Sequence, residues 1–247
     1  MLQRNVAEGV HRIEDAHTNW YLVEEDSRLT IVDTGLPRSW RSLQSALREL
    51  GRTPGDIEAV VLTHAHFDHM GFAERARTVL GVPVHAHERE VPITRHPLRY
   101  DHERSRIPYM LRHPGFDRAF LAMTLMGALF VKGVEAVRTF TDGEQLDVPG
   151  KPRVVFTPGH THGHCALHLA DRGVVIAGDA FVTYNPYTNS TGAQIVSGAA
   201  TADSAEALAS LDRLAALDAD VTLTGHGEPW RRGLEAAVAE ARDRGPT

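Results

Sequence analysis

The sequence predicts an α/β protein in which two β-sheets pack together with helices outside. Two observations carry this expectation. Each half of the 247-residue chain is a run of short apolar, strand-like segments followed by helix and strand. No internal repeat or low-complexity linker separates the halves, so both are expected to share one core. A chain of this length buries roughly three quarters of its unfolded surface and folds without staples. A single domain spanning 1–247 is the expectation.

In order along the chain, residues 10–13, 19–23 and 29–33 are short apolar runs bounded by polar turns, which implies early antiparallel pairing. Ser39–Leu50 has helical apolar spacing and ends at Gly51. The branched run 57–63 reads as a buried strand, 68–77 as a helix, and Val84–His87 as a further short strand. Residues 89–137 differ in character, being rich in Pro, Arg, His and aromatics, and form the expected helical insert and substrate cap. Its apolar stretch, 119–131, falls short of the roughly 20 residues a membrane span needs, so it is expected to be buried or to line a groove. Strand rhythm returns in 145–148, 153–157, 166–169 and 173–178, followed by a helix over 204–217, a strand at Val221–Thr224 and a closing helix over 234–242.

Composition narrows the function. The formal charge is −6 and the cationic side chains are scattered, which offers a polyanion no footprint and argues against nucleic acid as a partner. The opening residues lack the apolar stretch of a secretion signal, so a cytoplasmic location is expected. The single cysteine, Cys165, rules out an internal disulfide and a thiolate-rich zinc cluster, leaving histidine and carboxylate as the metal ligands.

Such ligands are concentrated in His64-Ala65-His66-Phe67-Asp68-His69. Three imidazoles and a carboxylate this close together are costly to bury unless a metal binds them. His64 and His66, two apart at the end of a strand, share a face and supply half a tetrahedral shell. Asp68 and His69 follow where the chain turns, in a position to serve a second ion. Three further signals each follow an apolar strand: Thr157-Pro158-Gly159-His160-Thr161-His162-Gly163-His164, Ala177-Gly178-Asp179-Ala180 and Thr224-Gly225-His226-Gly227-Glu228.

Taken together and in this order, the four motifs resemble the metallo-β-lactamase superfamily over nearly the whole chain. The resemblance implies a four-layer αββα sandwich of two mixed β-sheets flanked by helices. It also implies one metal on His64, His66 and His160, a second on Asp68, His69 and His226, and Asp179 as the carboxylate bridging both. Two zinc ions are the expected cofactors, with iron or manganese as alternatives. Two divalent ions some 3.5–4 Å apart lower the pKa of a shared water from about 15.7 toward roughly 7, which creates a nucleophile at neutral pH. Asp68 is then placed to orient it and to shuttle its proton to the leaving group. The chemistry so described is hydrolysis of an ester, thioester or lactone.

Within the superfamily, Asp179 resembles the bridging carboxylate of glyoxalase II-like thioesterases, quorum-quenching lactonases and ribonuclease Z, which β-lactamases generally lack. A usual glyoxalase II carries a glutathione-binding helical domain near its C-terminus, whereas this chain ends about twenty residues after His226. A ribonuclease Z would need a basic surface. Lactonases match in length and carry a catalytic tyrosine close behind the bridging aspartate, a role for which Tyr184 and Tyr187 are the candidates here; the alternative is that both pack a loop. Phe120, Met123, Met126 and Phe130 of the insert would favour an apolar acyl substrate. A homodimer stays open. His162 and His164 are expected to hydrogen-bond around the ligands, His85 and His87 to lie at the surface or to support the ligands from behind, and Asp33 to hold a structural position near the metals. The competing readings are a mononuclear iron oxidoreductase resembling the persulfide dioxygenases, which keep the same motif, and a non-catalytic binding protein on the same scaffold.

Overall fold

In the computed structural model, which describes residues 1–105 and 116–246, the side chains of one strand already define the layers. Tyr21 and Val23 point to one side, Trp20 and Leu22 to the other, and all four are buried. A strand buried on both faces belongs to a sheet covered on both faces.

That sheet has the order β1 (Leu2–Ala7), β2 (Val10–Asp15), β3 (Thr18–Glu25), β4 (Arg28–Val32), β5 (Ile57–Val61), β6 (Val84–His87) and β7 (Arg138–Phe140). Pairing is antiparallel from β1 to β4 and parallel from β4 to β7, so the sheet is mixed. The second sheet contains β8 (Arg153–Phe156), β9 (Cys165–Leu169) and β10 (Val174–Gly178); β11 (Val182–Asn185) and β12 (Ser190–Gln194) form a separate hairpin, and β13 (Val221–Thr224) returns to pair in parallel with β10.

Between the sheets, Tyr21, Val23, Val32 and Val61 meet Val154, Leu167, Ile176 and Leu223. The outer face of the first sheet, with Trp20, Leu22 and Ile31, is covered by Trp40, Leu43 and Leu47 of α1 (Ser39–Leu50). The outer face of the second, with Val155, Ala166 and Val175, is covered by Leu211 and Leu214 of α5 (Ser204–Ala215) and Leu234 and Val238 of α6 (Leu234–Arg244). The result is the expected αββα sandwich. Shorter helices α2 (Ala73–Arg75), α3 (Val91–Arg95) and α4 (Phe116–Leu125) lie between β5 and β7. Among the described residues no helix is long and apolar enough to cross a membrane.

Several expectations need correction. The helix expected over 68–77 does not begin at Asp68, because the backbone of this segment is drawn across to the β4–α1 connection: Thr34 N donates to His69 O and Gly71 N to Gly35 O. Only the turn α2 and a short π-helical stretch, Ala76–Leu80, follow. Residues 145–148 form no strand. Gln145 makes an isolated bridge to Arg153, while Leu146 and Val148 plug the space between the sheets. The apolar run 119–131 breaks near Gly127, and part of the expected cap, 106–115, lies outside the described residues. β1 and the β11–β12 hairpin had no expectation attached to them.

Candidate metal centre

The four motifs converge on one rim of the sandwich because each begins where an apolar strand stops. His64 follows β5, His160 follows β8, Asp179 follows β10 and His226 follows β13. Strand ends at the carboxyl side of such sheets are where side chains from separate segments can face one another. The ligand atoms of His64, His66 and His160 lie within 4.8 Å of one another, as do those of Asp68, His69 and His226. All six residues are buried. Asp179 lies between the two sets, with Oδ2 3.4 Å from His160 Nε2, 3.3 Å from His226 Nε2 and 3.7 Å from His69 Nε2.

Four imidazoles are turned so that Nδ1 points outward to a partner and Nε2 inward. Thr63 Oγ1 donates to Asp33 Oδ2 (2.8 Å), so it accepts at its lone pair from His64 Nδ1 (3.1 Å). Thr201 Oγ1 donates to Val196 O (2.8 Å) and accepts in the same way from His160 Nδ1 (3.2 Å). His69 Nδ1 donates to Asp33 Oδ2 (3.1 Å), and His226 Nδ1 donates to the carbonyl of His17 (2.7 Å). With Nδ1 so engaged, Nε2 is the nitrogen that faces the centre and that, in the neutral ring, would offer its lone pair to a metal. His64 Nε2, His69 Nε2, His160 Nε2 and Asp179 Oδ1 are buried and make no hydrogen bond. Buried polar atoms normally find partners, and a cluster of inward-facing imidazole nitrogens around a carboxylate is the donor set that divalent metals take. The residues fit such a centre.

Electrostatics divides the two triads. Burial, reinforced by neighbouring imidazoles, holds His64 well below its ordinary pKa. Burial also brings His160 down to about 4, against the pull of Asp179. For His69, burial is outweighed by Asp179, Asp68 and Asp33, which raise it to about 10, and His226 is raised against its burial by Asp179 and Asp68. Burial would raise Asp179, but His226, His69 and His160 hold it well below the usual carboxylate range.

The supporting residues come from several elements. Asn19 clamps the His226 loop: its backbone N–H donates to Gly225 O (2.7 Å), and its Nδ2 donates to Thr224 O (2.8 Å) and Gly227 O (2.7 Å). At Gly225 a Cβ would stand 2.0 Å from Asp179 Oδ1 and 2.7 Å from His69 Cε1, so the close approach of the last motif to the centre requires glycine. His164 is buried, with Nδ1 against Thr157 Oγ1 (2.8 Å) and Nε2 accepting from the Asp179 backbone N–H (3.0 Å). Burial and the neighbouring His160 bring its pKa to about 3, consistent with that acceptor role. His162, by contrast, is half-exposed and pairs with Asp101 (3.2 Å). His87 stacks on Phe156 at 4.6 Å, outside the centre.

Above these side chains lies a cavity lined by Phe67, Tyr100, Ala119, Phe120, Met123, Pro186, Tyr187, Val196 and Ala200, with His66, Asp68, His160, Asp179 and His226 as its floor. Of the two candidate tyrosines, Tyr187 lines this cavity. Tyr184 lines a different depression beside Arg12, His17 and Glu228, and its hydroxyl bonds Asn189. Phe120 and Met123 face the cavity, Met126 packs behind it with Leu36 and Ala128, and Phe130 is 78% exposed. Tyr100, whose ring lies 3.9 Å from that of His66, had no sequence signal, and neither did Thr63, Thr201 or Asn19.

The profile of the metallo-beta-lactamase superfamily matches residues 13–226. The chain belongs to this superfamily. It is 27% identical over 237 residues to the probable metallo-hydrolase YflN of Bacillus subtilis, covering 90% of this chain and 85% of that one. Among solved structures it resembles the metallo-beta-lactamase family protein TTHA1429 of Thermus thermophilus, with 29% identity, a TM-score of 0.68, and coverage of 96% and 80% of the two chains. It also resembles TTHA1623, solved in a di-iron-bound form, at 27% identity and a TM-score of 0.62, covering 91% of this chain and 95% of that one. The superfamily membership makes this chain a metallo-hydrolase relative with histidine and aspartate clusters suited to divalent metals.

Proposed function

We propose that the protein is a dinuclear metal-dependent hydrolase that cleaves an ester-like acyl bond, thioester or lactone included, in a small, apolar substrate. The observation that carries this reading is the paired triads with Asp179 Oδ2 within 3.7 Å of ligand nitrogens from both. His64, His66 and His160 would hold one ion, Asp68, His69 and His226 the other, and Asp179 would touch both. Zinc suits this imidazole and carboxylate set, and a cytoplasmic setting goes with the reading. When bound, such a pair of ions lowers the pKa of a shared water and polarises a carbonyl oxygen.

The chain's own groups do the rest. Asp68 faces the cavity floor and receives the Thr18 hydroxyl at 3.4 Å, which restrains its carboxylate. From there it takes the proton of the attacking water and passes it to the leaving oxygen or sulfur, so that acyl substrate and water give an acid and an alcohol or thiol. Tyr187, on the cavity wall, offers its hydroxyl to the substrate carbonyl or the departing group. The insert over 89–137 acts as the cap, since Tyr100, Ala119, Phe120 and Met123 all come from it.

Phe67, Ala119, Phe120, Met123, Val196 and Ala200 give the described lining of the cavity an apolar wall. Apolar walls around a few polar groups favour an apolar acyl part. A panel of acyl thioesters and lactones tests the reading. Metal-dependent turnover of apolar substrates, with little for glutathione thioesters, is expected; no metal-dependent turnover across the panel would refute it. One tightly bound iron per chain would replace it with the mononuclear oxidoreductase.

A further inference from the structure

Glu90 is wholly buried, yet it lies at the root of the insert, in the short 3-10 turn Glu88–Glu90. Both of its carboxylate oxygens are used on backbone amides. Oε2 accepts from Ala65 N (2.7 Å) and Oε1 from Gly163 N (2.9 Å). Ala65 is the residue between His64 and His66, and Gly163 is three residues beyond His160. One side chain therefore ties together the two loops that present three imidazoles of one triad, although those loops are nearly a hundred positions apart in sequence. A carboxylate accepting two amides in a dry setting is a strong, directional tether, since charge-assisted hydrogen bonds are shorter and roughly twice as strong as neutral ones.

The fit on the far side is equally close. A Cβ at Gly163 would stand 2.7 Å from Glu90 Oε1 and 2.8 Å from the Glu90 backbone nitrogen, so the loop meets Glu90 only because residue 163 is glycine. The other triad is not held by Glu90. His69 is held by Asp33 and by Thr34 N, and the His226 loop by Asn19 and the His17 carbonyl.

We propose that Glu90 is a positioning residue that sets the spacing of His64, His66 and His160 and so selectively governs the ion they hold. The inference rests on the two-metal reading above. Residues that orient ligands from behind typically change metal affinity by about 10–100-fold when replaced. Glu90→Gln keeps the size of the side chain but turns an NH2 group toward one of the two amide donors, which breaks one tether and sets donor against donor.

The test is titration of the apoprotein with zinc against a competing chelator, in two backgrounds that each isolate one triad: His226→Ala, which keeps the His64, His66 and His160 set, and His66→Ala, which keeps the Asp68, His69 and His226 set. Glu90→Gln is expected to weaken zinc about 10–100-fold in the first background and less than about threefold in the second. Gly163→Ala, which displaces Glu90 without altering it, is expected to give the same split and supplies the test if Glu90→Gln does not fold. Thermal melting of the metal-free forms separates this effect from a general loss of stability, which would lower both affinities together. Equal losses in the two backgrounds, or no loss in either, would overturn the role of Glu90. A parent protein that binds fewer than two zinc ions would instead refute the two-metal reading.

Discussion

The two triads share one rim of the sandwich and one carboxylate, Asp179, but they are built differently. His64, His66 and His160 form an all-imidazole set, backed by the hydroxyls of Thr63 and Thr201 and by Glu90 from the insert. Asp68, His69 and His226 include a carboxylate and are backed by the hairpin between β2 and β3 and directly by Asp33, which reaches the first set only through Thr63. The first is preset for a cation, since burial holds His64 and His160 unprotonated. The second, surrounded by Asp33, Asp68 and Asp179, keeps a proton on His69 until a metal displaces it. On the two-metal reading proposed above, occupancy of the first set would depend little on the protonation of His64 and His160, and occupancy of the second would be coupled to proton release.

The largest expected effect comes from breaking the second set at its most exposed member. Asp68→Ala should lower kcat/KM by about 10²–10⁴-fold even when zinc is added to restore both ions, because the proton-transfer group is gone. Full recovery of rate on adding zinc would reduce Asp68 to a ligand.

The contrast in protonation gives the next effect. His69 must lose a proton held up to about pH 10, so affinity at its triad falls at least about tenfold for each unit below that value, or at least about 100-fold between pH 8 and pH 6, and further where His226, also raised, is protonated. His64 and His160, both held low by burial, have no proton to lose in this range, so the first ion's affinity should change much less than the second's. Chelator titrations at the two pH values read the difference, and equal slopes would erase the contrast. The smallest effect is expected above the metals. Met123→Ala should raise KM for apolar acyl substrates about tenfold, in line with the worth of a methylene or so in an apolar pocket, and leave both zinc affinities unchanged. A change in zinc affinity would mean that the cap and the centre are not independent.

Much of this centre was legible because metal chemistry restricts residue type. Histidine and carboxylate were the only plausible ligands, the resemblance to the superfamily picked out seven of them, and those seven side chains meet on one rim. The braces were not legible. His17 acts through its carbonyl, which leaves no side-chain signature. Glu90 sits in the sequence Glu88-Arg89-Glu90, which has the look of a solvated turn. Thr63 and Thr201 read as a strand residue and a loop residue until a ring nitrogen is seen against each. The sandwich followed from apolar periodicity, most clearly in α1, whose Ser39–Leu50 bounds and Gly51 stop are reproduced. Periodicity failed where tertiary hydrogen bonds took over, as in the unwound segment after His69, and where polar strands occupy an edge, as in β1 with its exposed Gln3, Arg4 and Asn5.

On the two-metal reading, two ions are held by two separable triads. Elemental analysis of zinc-loaded, desalted protein decides this when the parent is compared with His66→Ala and His226→Ala. Two equivalents in the parent and one in each variant are expected. One equivalent in the parent, or two retained in either variant, would contradict the account.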